Sequence, residues 1–324
     1  MDRELIVVGI DDTDDVSKET STGSIAQSIA DAAVVMGGEL RLGITRHQLL
    51  ISDEVPYTSH NSAMVFEALI ASDMIDAFCR DAESVIAKLR APTSNPGFCI
   101  ARPSLARKTR NYSDETKALI DFGEQAKVRF CKIEEAYGLA ESVSWVSLKS
   151  CGGNEAGVVG ALAGVGLRMG GNDGRFRGKY KLFDAEGEKG PLTVGAAIES
   201  LEASTPGPVS IVDVNGSRLD PSMPFLPIDD IKPIMRNAAL VIICEVNEGV
   251  AHPFSKDGLN ENRMDKGARR LVCEEFERDN DSGECEDDRD CCLNCLYRRW
   301  VAEGFICVKD NLEAATLANG KGRP

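Results

Sequence analysis

The chain has 324 residues, is 43% hydrophobic and 27% charged, and carries a formal net charge of −15. That length is ample for two domains, the apolar share excludes wholesale disorder, and the negative charge argues against broad, non-specific binding of nucleic-acid backbone. The charge is concentrated, because residues 273–290 hold ten acids against two arginines; a local basic surface for RNA or a nucleotide therefore stays open.

No apolar run approaches the ~18 residues of a membrane span, and the first apolar run ends in two aspartates rather than a cleavage site. The expectation is a soluble cytoplasmic protein with no membrane partner. Eleven cysteines then read as reduced thiols rather than a disulfide framework.

In chain order, residues 5–10 form an apolar run bounded by acids, which reads as a buried strand. Residues 22–36 read as a helix with Ile25, Ile29, Ala32, Ala33 and Met36 on one face. Residues 40–52 are strand-like, residues 63–90 mostly helical, residues 98–101 a strand and residues 113–138 mostly helical. A second unit starts near residue 142 with a strand over 143–148, a glycine-rich turn over 152–157 and a small-residue helix over 158–169. Residues 175–182 alternate, so Arg175, Arg177, Lys179 and Lys181 share a face if extended. A helix over 194–201 and strands over 209–214 and 240–246 complete the pattern. The class is α/β (α+β), with domains at 1–140 and 141–272, the second ferredoxin-like, and an acidic linker with a Cys-rich tail at 273–324.

The first chemical motif is Gly9-Ile10-Asp11-Asp12-Thr13-Asp14-Asp15. Carboxylates crowded at the end of a buried strand are costly unless a cation or solvent compensates them, and Mg²⁺ takes a few carboxylates plus water and phosphate oxygens. Thr20, Ser21, Thr22 and Gly23 follow, directly before a helix whose N-terminus favours phosphate. A solvated acidic turn with an ordinary Ser/Thr cap accounts for the same residues equally well.

The motif, with the Ser/Thr pair after it, resembles the opening signature of the archaeal tRNA-isoleucine agmatinylcytidine synthetases. Val55-Pro56-Tyr57-Thr58-Ser59-His60-Asn61, Asn95-Pro96-Gly97 and Gly157-Val158-Val159-Gly160-Ala161-Leu162-Ala163-Gly164-Val165-Gly166 resemble three further family segments in the same order. The resemblance spans about residues 5–185. It implies a kinase-like, ATP-dependent first domain that activates an acceptor, in the family a cytidine carbonyl, for attack by an amine such as agmatine. It further implies that Asp11, Asp12 and Asp14 hold Mg²⁺ and the phosphates, that Ser21 or Thr22 handles the transferred phosphate, and that Asn61 lines the nucleotide site. The candidate nucleotide- and substrate-binding set is completed by Thr13, Arg46, His60, Arg175, Arg177 and Lys179. The chain departs from the family at Thr58-Ser59-His60, where two cationic residues are replaced, and at Arg175-Phe176-Arg177-Gly178-Lys179, where the family is largely apolar. The acceptor therefore need not be tRNA.

Cys285, Cys291, Cys292 and Cys295 have spacings that suit Zn²⁺, an iron–sulfur cluster, a redox pair or no role at all, with Zn²⁺ the foremost metal. The resulting expectation is an ATP- and Mg²⁺-dependent ligase or synthetase with an unidentified acceptor. Two alternatives stand beside it. One is an aspartyl-phosphate phosphotransferase built on Asp12, Asp14 and the later Asp229-Asp230; the other is a non-catalytic nucleotide-binding regulator.

Overall fold

The computed structural model describes residues 2–15, 20–50, 55, 61–103, 112–178, 180, 182, 192–228 and 231–254, and the backbone of 298–301 and 304–307. The architecture is mixed α/β. In chain order come β1 (Arg3–Asp11), α1 (Thr22–Val35), β2 (Glu39–Gln48), β3 (Ser62–Ala71), α2 (Ile75–Leu89), β4 (Gly97–Ala101), α3 (Asp114–Gln125), α4 (Ile133–Ser142), β5 (Val146–Ser150) and α5 (Gly157–Gly170). They are followed by β6 (Arg175–Phe176), β7 (Leu192–Thr193), α6 (Val194–Ser204), β8 (Val209–Asp213), β9 (Pro224–Phe225), β10 (Ile234–Arg236), β11 (Ala239–Asn247) and β12 (Val250–Pro253). One twelve-stranded sheet runs β5-β4-β1-β3-β2-β6-β10-β11-β12-β9-β7, with β8 also on β11. Its pairs are antiparallel except β8 with β11 and β9 with β12.

The helices follow from apolar spacing and caps. Ser21 accepts the Ser24 N–H at 3.2 Å to start α1, whose Ile25, Ile29 and Ala33 lie on one buried face. In α2, Ile75, Phe78, Ala82 and Ile86 are buried at helical spacing. Residues 62–71 are a strand, contrary to the helix expected from residue 63 onward. Here β3 sits between β1 and β2, and both of its faces are buried. Such a strand shows a continuous apolar run, which periodicity alone does not separate from a buried helix.

Side chains alternate across β1, so its two faces build two cores. Val7, with Ala63 and Val65, packs beneath Ala161, Leu162 and Val165 of α5. Ile6, Val8 and Ile10 pack with Ile25, Ile29, Phe78 and Ile86 of α1 and α2. A third core, with Phe176, Val194, Leu201, Ile211, Phe225, Leu240 and Ile242, belongs to the later elements. The sheet runs unbroken past residue 140, because β5 pairs with β4 and α5 lies on β1, β3 and β4. The expected basic strand over 175–182 is short: Gly178 turns the chain at φ +103°, and beyond β6 Tyr180 makes an isolated bridge to Ile231.

A polar network pins the end of α5 to β2. Arg168 is 1% exposed; its Nε donates to Glu67 at 2.9 Å, its Nη1 to Thr45 Oγ1 at 2.9 Å and the Gly43 carbonyl, and its Nη2 to the Arg41 carbonyl. Thr45 Oγ1 is 2.7 Å from His47 Nε2, and His47 Nδ1 is 2.9 Å from Asp173, which also accepts from Lys127. Burial, aided by the charges of Arg168 and Lys127, pushes the His47 pKa down despite Asp173, which favours the neutral ring. Burial alone would raise the Asp173 pKa, but Lys127 and His47 hold it down to about 2. The Thr–His–Asp order has the connectivity of a hydrolase triad, yet Thr45 is fully buried and already bonded to Arg168. The network is a structural clamp. Arg168→Leu is expected to cost about 3 kcal/mol, because it breaks the pair with the part-buried Glu67 and leaves Thr45 and two carbonyls without their donor. Denaturant unfolding checks this, and a loss below about 1 kcal/mol, the worth of a surface pair, would contradict it.

Candidate active site

Val7, Gly9 and Asp11 point to the α5 side of the sheet, and glycines there let the helix approach. A Cβ on Gly9 would lie 2.4 Å from the Ala161 carbonyl, and one on Gly160 would lie 1.7 Å from Asp11 Oδ2. The Asp11 carboxyl therefore occupies the notch that Gly160 leaves. It is 8% exposed. Burial, then the neighbouring Asp12 and Asp14 charges, pushes its pKa up to about 8.

Asp12 follows in the left-handed region at φ +52°, which aspartate tolerates better than most residues. Its pKa is raised by burial, while hydrogen bonds from the Asn95 side chain and backbone favour the ionised form. Asn95 Nδ2 donates to Asp12 Oδ2 at 3.1 Å. The rest of the segment is tied on both sides. Ala91 N–H donates to the Thr13 carbonyl at 2.9 Å, and Thr93 Oγ1 donates to Asp15. Thr13 is fully buried with its hydroxyl on Thr22 at 3.1 Å. Asp14 accepts the Thr22 N–H at 2.9 Å, so it caps the start of α1. Ser21 is exposed at the cap position, whereas Thr22 is buried.

Three of the arginines singled out by sequence come together on the other face. Arg46 and Arg175 are register partners across β2 and β6, so their side chains share one face. Arg46 Nε donates to Ser62 Oγ at 3.0 Å. The Arg177 side chain lies over the first turn of α1: a Cβ on Gly23 would be 2.6 Å from its Nε. Its backbone N–H is held by the Ile44 carbonyl at 2.8 Å. The α1 N-terminus, exposed Ser21 and a guanidinium therefore adjoin the Asp11–Asp14 segment. The Thr22 and Ser24 N–H groups are taken by Asp14 and Ser21, so the guanidinium is the group here that suits an anion, beside a setting for a cation.

Other candidates fall elsewhere. Asn61 closes the β2–β3 connection, donating from Nδ2 to the Leu50 carbonyl at 2.5 Å and accepting Leu49 N–H at 2.8 Å. His60, Lys179, Cys285, Cys291, Cys292, Cys295, Asp229 and Asp230 lie outside the described residues. Among the described residues no three His, Cys, Asp or Glu side chains converge as a preformed metal cage. Of the three expected carboxylates, Asp14 accepts the Thr22 N–H through Oδ2. Also among the described residues, no helix is long and apolar enough to cross a membrane. A cleft of about 670 Å³ lined by Pro224, Phe225, Leu226, Asn247, Glu248, Val250 and His252 belongs to β9, β11 and β12, several strands away from β1.

The residues that sequence reasoning misses are Asn95, Thr93 and Gly160. Asn95 and Gly160 lie within segments that carry the resemblance, but nothing in local spacing links either to the aspartates.

No protein-family model and no curated protein matches the sequence. Among solved structures, a complex of TiaS with an isoleucine tRNA and ATP is similar at 23% identity and a TM-score of 0.42, covering 50% of this chain and 36% of that one. A tRNA fluorescent labeling enzyme is similar at 19% identity and a TM-score of 0.41, covering 62% and 44%. The ligand-free regulatory subunit of aspartate kinase from Thermus thermophilus is similar at 16% identity and a TM-score of 0.18, covering 38% and 72%. The likeness is distant, and the chain spans about a third of the length of the first of these proteins.

Proposed function

We propose that this chain is an ATP- and Mg²⁺-dependent enzyme that activates an acceptor by phosphoryl transfer for attack by an amine or another nucleophile. The observation that carries the reading is Asp11, a carboxyl sunk against Gly160 with its pKa pushed up to about 8 and a second carboxylate beside it. Such a pair is unfavourable by itself, and a divalent cation is the partner that compensates it.

The donor set suits Mg²⁺, which is commonly held by one or two carboxylates and completed by water and phosphate oxygens rather than by an all-protein cage. Asp11 and Asp12 would hold it, and the ion would supply charge neutralisation on the phosphates. The chain's own residues do the rest. The Arg177 guanidinium, over the first turn of α1, would meet the phosphate oxygens. Asp14 and Thr13 fix that helix start to the aspartate turn through Thr22. Ser21, the exposed hydroxyl of the pair, is the one accessible to a transferred phosphoryl group. Catalysis of this kind rests on positioning and electrostatic stabilisation. Arg46 and Arg175 lie on the acceptor side in this reading, and the acceptor is a tRNA base or a small metabolite. Asp14 is tied to the Thr22 N–H and Asp11 is wedged against Gly160, so a phosphoaspartate mechanism would rest on Asp12.

The test is product identification. Protein, ATP and Mg²⁺ are incubated with bulk tRNA and agmatine, then with metabolite pools, for the wild type, Asp11→Asn and Asp12→Asn. ADP, or AMP with pyrophosphate, should form and fall by about 100-fold or more in each variant, the scale of losing one electrostatic stabiliser. Turnover that survives both substitutions would refute the assignment.

A further inference from the structure

Asn95 uses its polar groups to join two segments that are distant in sequence. Its Nδ2 donates to Asp12 Oδ2 at 3.1 Å, while its Oδ1 accepts the Asn154 N–H at 2.9 Å. Its carbonyl accepts the Gly157 N–H at 3.0 Å, and the adjoining Pro96 carbonyl accepts the Cys151 N–H at 2.7 Å. The amide can face only one way. Reversed, it would set its NH₂ against the Asn154 N–H and its oxygen against a carboxylate, both repulsive.

The segment held in this manner is unusual in its backbone. Gly152, Gly153 and Glu155 all have positive φ, at +134°, +68° and +70°. A non-glycine residue in that region costs of order 1 kcal/mol or more and persists only where surroundings impose it. The contact is also close: a Cβ on Gly153 would lie 2.2 Å from Asn95 Oδ1. Asn95 is thus the anchor that imposes the conformation of residues 151–157, and these lead directly into α5, the helix whose Gly160 receives Asp11.

We propose that Asn95 is a positioning residue that couples cation binding at Asp12 to the order of the 151–157 segment. The inference rests on the cation reading given above and adds a second body to it. By reciprocity, a cation that fixes the Asp12 carboxylate tightens the segment, and loosening the segment weakens the cation. The segment's exposed residues Gly153, Asn154 and Glu155 are then the part of the site whose shape reports whether the cation is present.

The experiment uses the full chain with Mn²⁺ as the spectroscopic stand-in for Mg²⁺. Affinity is titrated by electron paramagnetic resonance, and hydrogen exchange is followed in peptides covering 151–157, with peptides from β1 and β3 reporting global folding. In the wild type, Mn²⁺ should slow exchange in 151–157 by about fivefold or more. Asn95→Ala should abolish that slowing and weaken Mn²⁺ about tenfold, with no added loss in an Asp12→Asn background. Gly153→Ala, which pushes on Asn95 from the segment side and touches no carboxylate, should weaken Mn²⁺ in the same direction; it keeps the test decisive if Asn95→Ala does not fold. Wild-type Mn²⁺ binding left unchanged by both substitutions would overturn the coupling alone. Absence of Mn²⁺ binding in the wild type would overturn the cation reading and the coupling with it.

Discussion

Gly160→Ala is expected to disable the cation site while the chain still folds. The added Cβ would fall 1.7 Å from Asp11 Oδ2 and 2.5 Å from its Cγ, so the carboxyl must leave its notch or α5 must move off β1. Overpacking of this kind costs about 1–3 kcal/mol, but the functional loss should be larger than the stability loss. Affinity for Mg²⁺ should fall about tenfold or more, because the only deeply buried carboxylate of the pair is displaced. Gly164→Ala, one turn further along the same helix, is the control. Its Cβ would meet Ala63 Cβ and Val65 Cγ2, both at 2.8 Å, and no acid. It should destabilise comparably and leave cation affinity intact. Equal losses of affinity in the two variants would mean that α5 packing, rather than the Asp11 notch, is what matters.

The second large effect is on stability against pH. Asp11 has its pKa pushed up to about 8 in the folded protein from an ordinary value of 3.8. The folded state then holds a proton that the unfolded chain has released, so between those two values stability falls as pH rises. Asp11→Asn removes that slope. In chelator, the variant should gain on the wild type by about 4 kcal/mol between pH 5 and pH 8.5, at about 1.4 kcal/mol per unit. Mg²⁺ at pH 8.5 should restore the wild type and do little for the variant. Denaturant unfolding at the two pH values measures this. Parallel curves for the two proteins would show that Asp11 ionises normally, and the argument for a compensating cation would lose its basis.

Much of the first half is legible from sequence because local signals and tertiary demands agree there. The apolar run of β1 and the Ser21 cap with Ile25, Ile29 and Ala33 mean in the fold what they mean in the sequence. β3 reads as a helix because a strand buried on both faces loses its period of two. The basic strand after residue 175 reads as too long because alternation of charge says nothing about Gly178, whose φ of +103° ends it. The hydrogen bond from the Thr22 N–H to Asp14 is not legible in sequence, because it exists only once the start of α1 lies beside the end of β1. Asn95 and Gly160 are invisible as site residues for a different reason. Each acts on an aspartate more than 80 residues away in sequence, and a spacing rule cannot see that distance. The same holds for the Arg168–Thr45–His47–Asp173 clamp, which looks like four unrelated polar residues until β2 and α5 are packed.

The claim that Asp11 and Asp12 form a cation site serving a nucleoside triphosphate is tested most directly by equilibrium binding. Isothermal titration of ATP should be run with Mg²⁺ and with chelator, for the wild type, Asp11→Asn and Asp12→Asn. The account predicts binding in the wild type that needs Mg²⁺ and that weakens about tenfold or more in each variant. ATP binding that is indifferent to Mg²⁺ and equal in all three proteins, or no binding in any, would contradict it.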